Sequence, residues 1–180
     1  MTKSLNLPNT LALLRIALAP LMLIFLVHRD AFIFESWDPS WLDYFAGLIF
    51  VIASVTDFFD GFIARQWNQM TKLGAVLDPL ADKMLMLAGF LGLMLIDRAS
   101  AWAVFLILSR EFFITGLRVV AVSEGKDVAS TMAGKIKTVV QMIAIGFLIM
   151  NWPYATTLLW IAVILTLYSG YEYIRDYFNN

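Results

Sequence analysis

Six long apolar segments constrain the fold of this 180-residue chain more than any other feature. A helix needs about 20 mostly apolar residues to cross the hydrocarbon core of a bilayer. The segments are continuous and show no alternation of polar and apolar residues, which predicts helices rather than barrel strands. They cover residues 9–28, 41–64, 79–97, 100–121, 131–150 and 154–174.

The overall composition supports a membrane protein. Apolar residues make up 61% of the chain, whereas soluble domains contain about 45–50%. A soluble domain of this size has too little interior to bury so many apolar side chains. We therefore predict an all-α integral membrane protein with six transmembrane helices, forming a single domain over residues 1–180. Residues 4–11 are expected to lie along the membrane surface before the first span.

The distribution of charge predicts the orientation and excludes several functions. Lys and Arg concentrate near the N-terminus, in the second and fourth connections and in the C-terminal tail. The positive-inside rule then places both termini in the cytoplasm. A net charge of −1 gives no reason to expect nucleic acid as a partner. The chain has no cysteine and a single histidine, which excludes thiolate catalysis and a Cys/His zinc site.

Four aspartates form the most informative pattern in the sequence. Asp57 and Asp60 are spaced i, i+3 and share one helix face, while Asp78 and Asp82 are spaced i, i+4 on the next helix. Pro79 suits the first turn of that helix, with Asp78 as a possible N-cap. Because the connection is short, the two helices should be antiparallel neighbours. The four carboxylates would then converge at their cytoplasmic ends.

Such a cluster requires positive charge, since carboxylates at a membrane interface repel one another and are costly to desolvate. Hard oxygen donors suit Mg²⁺, Mn²⁺ or Ca²⁺ rather than zinc. Paired divalent ions about 4 Å apart are common in phosphoryl chemistry. Gly61 and Gly74 would let a phosphate or nucleotide approach the backbone. Ala64 would keep the groove shallow, and Arg65 could reach a phosphate near the metals.

The complete pattern, DxxDGxxARx₈GxxxDxxxD from Asp57 to Asp82, resembles the signature of the CDP-alcohol phosphotransferase family. The resemblance implies six transmembrane helices, a homodimer, and a divalent metal site facing the cytoplasm from the inner membrane, with two Mg²⁺ or Mn²⁺ ions. It implies that Asp57, Asp60 and Asp78 are metal ligands. Asp82 would be the general base and could also contact a metal. The implied CDP-binding residues are Gly61, Ala64, Arg65, Gly74, Asn9 and Thr10.

Three further segments resemble particular members of that family. They are 6-NLPNTLALLRI-16, 109-SREFFITGLRVVAVSEGK-126 and 134-GKIKTVVQM-142. They look like bacterial members that transfer the phosphatidyl group of CDP-diacylglycerol to glycerol 3-phosphate. For Asn9, Thr10 and Arg15 the resemblance implies a place near the nucleotide. The residues alone suit a helix start and a buried ion pair equally well.

The phosphate of the acceptor needs cations outside the signature. The candidates are Arg110, Arg118, Lys135 and Lys137. An unpaired cation inside an apolar segment, as at Arg110, costs about 2.5 kcal/mol or more. Arg110 could instead form a structural ion pair with an acid on another helix, for which Glu111 is a candidate, or with a carboxylate of the site. Lys137 could simply be a cytoplasmic lysine at a helix end.

Two alternatives remain open from the sequence. The first is the same chemistry with inositol phosphate, phosphatidylglycerol or serine as acceptor, of which the basic set disfavours only neutral serine. The second is a small cation transporter that uses intramembrane carboxylates. A transporter would place its acids near the bilayer midplane, whereas these acids cluster at one predicted membrane face beside Lys and Arg.

Overall fold

All regular secondary structure in the described part of the chain is α-helical. The structure is a computed structural model that describes residues 7–29, 38–66, 74–125 and 132–179. Some side chains within these ranges also lie outside the description: those of residues 8, 58–66, 75, 76, 122 and 179. The helices are α1 (Leu7–Val27), α2 (Pro39–Gln66), α3 (Gly74–Leu95), α4 (Ala101–Ser123), α5 (Met132–Ile149) and α6 (Ala155–Asn179).

Four of these helices are long and apolar enough to cross a membrane. The qualifying spans are Asn9–Val27, Pro39–Asp57, Met132–Ile149 and Ala155–Phe178. The helices α3 and α4 match predicted spans but carry more charge: Asp78, Asp82 and Lys83 in α3, and Arg110, Glu111 and Arg118 in α4. The helical class is therefore confirmed, while the six-span topology and the orientation of the termini stay predictions.

The helices form two compact units, residues 1–96 and 97–180. In the first unit α1 packs along both α2 and α3, and α2 contacts α3 as the short connection predicted. Buried residues recur every three or four positions along α1, as expected of a helix packed on one face. Its buried residues are Asn9, Ala12, Arg15, Ala19, Met22 and Leu26. Whether both units form one domain is not tested by this division and stays a prediction.

The start of α2 is capped by side-chain and backbone contacts. The backbone N–H of Ser40 donates to Asp38 Oδ1 at 2.8 Å, and the Ser40 hydroxyl donates to the same oxygen at 2.5 Å. Pro39 occupies the first helical position, where its missing N–H costs nothing. The hydroxyl bond, followed by the backbone bond, lowers the pKa of the exposed Asp38 carboxyl. This cap explains why α2 begins before residue 41.

Helix α3 begins at Gly74, several residues before the predicted start at 79. Asp78 is therefore not an N-cap, as the sequence suggested, but lies one turn inside the helix. Helix α3 continues through Pro79, although this residue has no N–H to donate to the carbonyl of residue 75 and its ring crowds that carbonyl. As a result, Gly74 and both aspartates of this segment belong to one continuous helix.

In the second unit α6 packs against both α4 and α5. Its buried side again repeats every three or four residues. The residues on it are Ala155, Leu159, Ala162, Val163, Thr166, Ser169, Gly170, Tyr173 and Tyr177. At the far end of α5, Arg98 Nη1 donates to the carbonyl of Ile149 at 2.6 Å. A cation suits this position because helix C-termini carry partial negative charge.

Close approach of α1 and α3 depends on Gly92. A Cβ at this position would lie 2.8 Å from Leu26 Cδ1 and 3.1 Å from Leu26 Cβ. We therefore expect Gly92→Val to destabilise the protein by about 1–3 kcal/mol through overpacking, seen as a lower melting temperature in detergent. Gly146→Val is the matched control, because among the described residues nothing lies within 4 Å of a Cβ there. Equal melting temperatures for the two variants would contradict the packing argument.

Candidate active site

Arg15 joins two of the predicted site aspartates. Its Nη1 donates to Oδ1 of Asp57 on α2 and, at 2.8 Å, to Oδ1 of Asp82 on α3. The Arg15 side chain is fully buried, whereas those of Asp57 and Asp82 are 32% and 43% exposed. One guanidinium from α1 therefore holds carboxylates from two other helices beside each other. Both acids retain an exposed portion that solvent or a ligand can reach.

Asp78 lies one helical turn from Asp82 and has different surroundings. Its Oδ1 is buried and has no hydrogen-bond partner within the described part of the chain. A buried carboxylate oxygen normally has a hydrogen-bond donor or a metal to compensate its lost hydration. Hard oxygen donors of this kind suit Mg²⁺ or Mn²⁺, so the residues fit the divalent metal that the sequence pattern implied. Among the described side chains, no three acidic, His or Cys groups form a complete metal site.

Several predicted site residues lie outside the described side chains. Asp60, Gly61, Ala64 and Arg65 belong to α2, but only their place in that helix is described. Gly74 is the first residue of α3 and is buried. The roles assigned to all five stay predictions.

Asn9 and Thr10 belong to the first unit, in the opening turn of α1. Asn9 is 1% exposed, whereas Thr10 is exposed. Asn9 lies about two turns before Arg15 on the same helix. Its burial beside the helix end is compatible with both the nucleotide contact and the helix-start interpretation.

The basic residues of the second unit have separate environments. Arg110 Nη2 donates to Ser169 Oγ at 2.8 Å, and its Nη1 donates to Glu111 Oε1 at 3.3 Å. Lys137 also donates to Glu111 Oε1, and it is 6% exposed. One carboxylate thus serves two cations from α4 and α5. Arg110 therefore has a structural ion pair, but its acid, Glu111, lies next to it in α4 and not on another helix as predicted.

The other two predicted acceptor residues do not join this carboxylate through any described contact. The Arg118 guanidinium lies over the ring of Tyr173, 5.8 Å from its centroid. Lys135 is exposed near the start of α5. Of the four basic candidates, the structure therefore brings Arg110 and Lys137 together at Glu111. From the sequence, the positive-inside rule alone could explain the position of Lys137.

Comparison with known proteins assigns the family. The family model described as CDP-alcohol phosphatidyltransferase matches residues 5–168, which include parts of both units. The chain belongs to the CDP-alcohol phosphatidyltransferase family. Enzymes of this family are generally dependent on a divalent metal, in agreement with the carboxylate chemistry around Asp78. The family and the apolar helices together make this a membrane protein.

Three curated relatives are similar over almost their full length. Each is named CDP-diacylglycerol–glycerol-3-phosphate 3-phosphatidyltransferase. The protein from Bacillus subtilis strain 168 is 45% identical over 179 residues, covering 93% of both chains. The Escherichia coli K12 protein is 38% identical, covering 94% of this chain and 93% of the relative. The Rickettsia felis protein is 35% identical, covering 94% of both.

Sequence reasoning missed two contacts of these family-specific segments. The sequence is compatible with either a nucleotide contact or an ion pair for Arg15, and it does not predict the two carboxylate partners. The sequence does contain a signal for the burial of Arg15, because this residue shares the three- and four-residue spacing of Ala12 and Ala19 on one side of α1. Ser169 carried no comparable signal, because serine is common in membrane helices.

Replacing Arg15 should lower the stability of the protein. We expect Arg15→Met to lower the free energy of unfolding by about 2 kcal/mol or more, less than the ~3–5 kcal/mol for a fully buried pair because the acids are partly exposed. The measurement is the melting temperature in detergent. Arg175→Met is the control, since its ion pair with Asp176 is at the surface and such pairs contribute about 0–1 kcal/mol.

The cause of that loss can be tested by neutralising one acid. If repulsion between stranded carboxylates is responsible, Asp82→Asn will be less destabilising in the Arg15→Met background than in the native chain. Additive effects of the two substitutions would show that the Arg15 contact to Asp82 does not carry the energy.

Proposed function

We propose that this chain transfers the phosphatidyl group of CDP-diacylglycerol to the sn-1 hydroxyl of glycerol 3-phosphate. The products are phosphatidylglycerophosphate and CMP, so the chain is a phosphatidylglycerophosphate synthase of phospholipid biosynthesis. The observation that carries the proposal is 35–45% identity, over most of the chain, to relatives named for this transfer. The contact of Arg15 with both Asp57 and Asp82 supports it, because it places carboxylates of the two signature helices together.

In this proposal the aspartates bind metal and accept a proton. Asp57, Asp60 and Asp78 are the metal ligands, and the buried Oδ1 of Asp78 is the described atom that most needs a cation. Two ions, Mg²⁺ or Mn²⁺, would neutralise the diphosphate of the donor when bound. Asp82 is the general base and can also contact a metal. The residues proposed to contact CDP are Gly61, Ala64, Arg65, Gly74, Asn9 and Thr10.

The transfer itself needs no covalent enzyme intermediate. The acceptor hydroxyl gives its proton to the Asp82 carboxylate while its oxygen forms a bond to the phosphorus that carries diacylglycerol. The bond from that phosphorus to the CMP oxygen breaks, and CMP leaves with the electron pair. Arg15 is no proton acceptor in this step. Its contribution is to hold Asp82 beside Asp57, since positioning supplies much of the acceleration in phosphoryl transfer.

The acceptor's own phosphate is proposed to bind the basic residues Arg110, Arg118, Lys135 and Lys137. Arg110 and Lys137 bring two positive charges to the single carboxylate of Glu111. Taken together, the three groups carry a formal charge of +1, which favours an anion. A guanidinium can also donate two parallel hydrogen bonds to a phosphate.

The membrane topology in this proposal follows the charge pattern. All six helices span the inner membrane, both termini lie in the cytoplasm and the aspartates face the cytoplasm. The α3 and α4 charges are compatible with spanning because Asp82, Arg110 and Glu111 each contact an oppositely charged group. We further propose that the chain acts as a single domain and forms a homodimer. The family match to residues 5–168 supports the single domain.

An assay with purified protein tests the reaction. Protein in detergent, given CDP-diacylglycerol and Mn²⁺ or Mg²⁺, should release CMP with glycerol 3-phosphate and only slowly with inositol phosphate, phosphatidylglycerol or serine. A chelator should abolish release, and added metal should restore it. No CMP with any acceptor would refute the enzyme. CMP with inositol phosphate but not glycerol 3-phosphate would refute the acceptor.

The general base can be tested separately. Asp82→Asn should lower kcat by about 10²–10⁴-fold, the usual contribution of a general base, while CDP-diacylglycerol still binds. Asp97→Asn is the control, because Asp97 is exposed and has a φ of 58°, a conformation that asparagine adopts readily. Turnover by Asp82→Asn close to that of the control would assign the base to another group.

A further inference from the structure

The Arg110 side chain lies against two adjacent residues of α6, Ser169 and Gly170. Ser169 is fully buried and accepts a hydrogen bond from Arg110 Nη2 at 2.8 Å. The next residue, Gly170, is also buried. A Cβ at Gly170 would lie 3.1 Å from both Cγ and Nε of Arg110. The absence of a side chain at Gly170 therefore gives the Arg110 side chain its space.

Ser169 is itself held in place by the packing of α6. Its hydroxyl donates to the carbonyl of Thr166 at 3.2 Å. Thr166 is fully buried and accepts a hydrogen bond from Gln141 Nε2 at 2.7 Å. This series of contacts runs from α5 through α6 to Arg110 on α4. The Ser169 oxygen that accepts from the guanidinium is thus oriented by the α6 backbone, while Gln141 of α5 holds the side-chain hydroxyl of Thr166 one turn away.

The described hydrogen bonds of Arg110 use two of its five N–H donors. Its Nη1 donates to Glu111 and its Nη2 to Ser169. Its Nε is buried and, within the described part of the chain, has no hydrogen-bond partner. Gly170 lies beside this same nitrogen. A guanidinium held on two sides with a third donor available is prepared for an oxyanion.

We propose that Ser169 and Gly170 are positioning residues that orient Arg110 toward the phosphate of the acceptor. This inference rests on the proposed function, in which Arg110 binds that phosphate. Ser169 holds one end of the guanidinium, and Gly170 keeps the space beside Nε open. The preference for a phosphorylated alcohol is then determined partly by α6, through residues that do not contact the acceptor.

The test compares two alanine substitutions at helical glycines. Gly170→Ala should raise KM for glycerol 3-phosphate about tenfold, because small displacements of a positioned group weaken binding strongly. Its KM for CDP-diacylglycerol and its kcat should change less than about twofold. Gly146→Ala is the matched control, since among the described residues no atom lies within 4 Å of a Cβ there. It should leave all three parameters unchanged.

Substitutions at Ser169 supply an independent measurement. Ser169→Ala should raise KM for glycerol 3-phosphate as Gly170→Ala does, because Arg110 loses the same fixed contact. Ser169→Thr retains the hydroxyl and should restore a KM close to that of the native chain. Melting temperatures of all variants are measured in parallel. A rise in both KM values together with a fall in kcat and melting temperature would overturn the inference, because it would show general structural damage.

Arg110→Gln separates failure of the inference from failure of the proposed function. If Arg110→Gln raises KM for glycerol 3-phosphate while Gly170→Ala and Ser169→Ala do not, positioning by α6 is refuted and Arg110 keeps its proposed role. If Arg110→Gln leaves this KM unchanged, both the role of Arg110 and the inference are refuted. Loss of CMP release with every acceptor in the native chain would instead refute the proposed reaction.

Discussion

The double contact of Arg15 is the interaction on which the first unit depends. An arginine on an apolar helix is costly, and so are two carboxylates on adjacent helices, unless each compensates the other. Because one nitrogen contacts both acids, α1 cannot shift against α2 and α3 without separating charges. The small residues along the same side of α1 then allow the helices to approach closely. The packing of α1 against α2 and α3 and the pairing of Asp57 with Asp82 therefore both depend on the position of Arg15.

In the second unit, charged side chains on apolar helices also compensate one another, but here cations outnumber acids. Arg110 and Lys137 both contact the carboxylate of Glu111, which gives these three groups a formal charge of +1. In the first unit, Arg15 contacts two carboxylates, which gives those three groups a formal charge of −1. Buried hydroxyl and amide groups on α5 and α6 continue the polar contacts away from Arg110. Polar residues inside membrane helices are expensive and are usually retained for function. The proposed orientation of Arg110 toward the acceptor phosphate depends on these contacts.

Much of the fold was predictable because lipid imposes a simple rule on sequence. A spanning segment must satisfy its own backbone and present mostly apolar side chains, and all six helices were found near the predicted segments. The boundaries were less predictable. Asp78 resembled an N-cap because proline follows it, yet α3 continues back to Gly74. The lost hydrogen bond and the crowded carbonyl at Pro79 did not stop the helix. Sequence rules for proline do not weigh this cost against the energy of helix packing.

The sequence by itself determined the helical class and the family, and it predicted the chemical nature of the acidic site. These properties depend on composition and on fixed spacing along one chain, such as the offsets between Asp57 and Asp82. Only the tertiary structure decided which charges meet: Arg15 with Asp57 and Asp82, Lys137 with Glu111, and Arg110 with Ser169. The reason is physical. Partners on different helices are selected by how those helices pack, and sequence separation contains no direct measure of that distance.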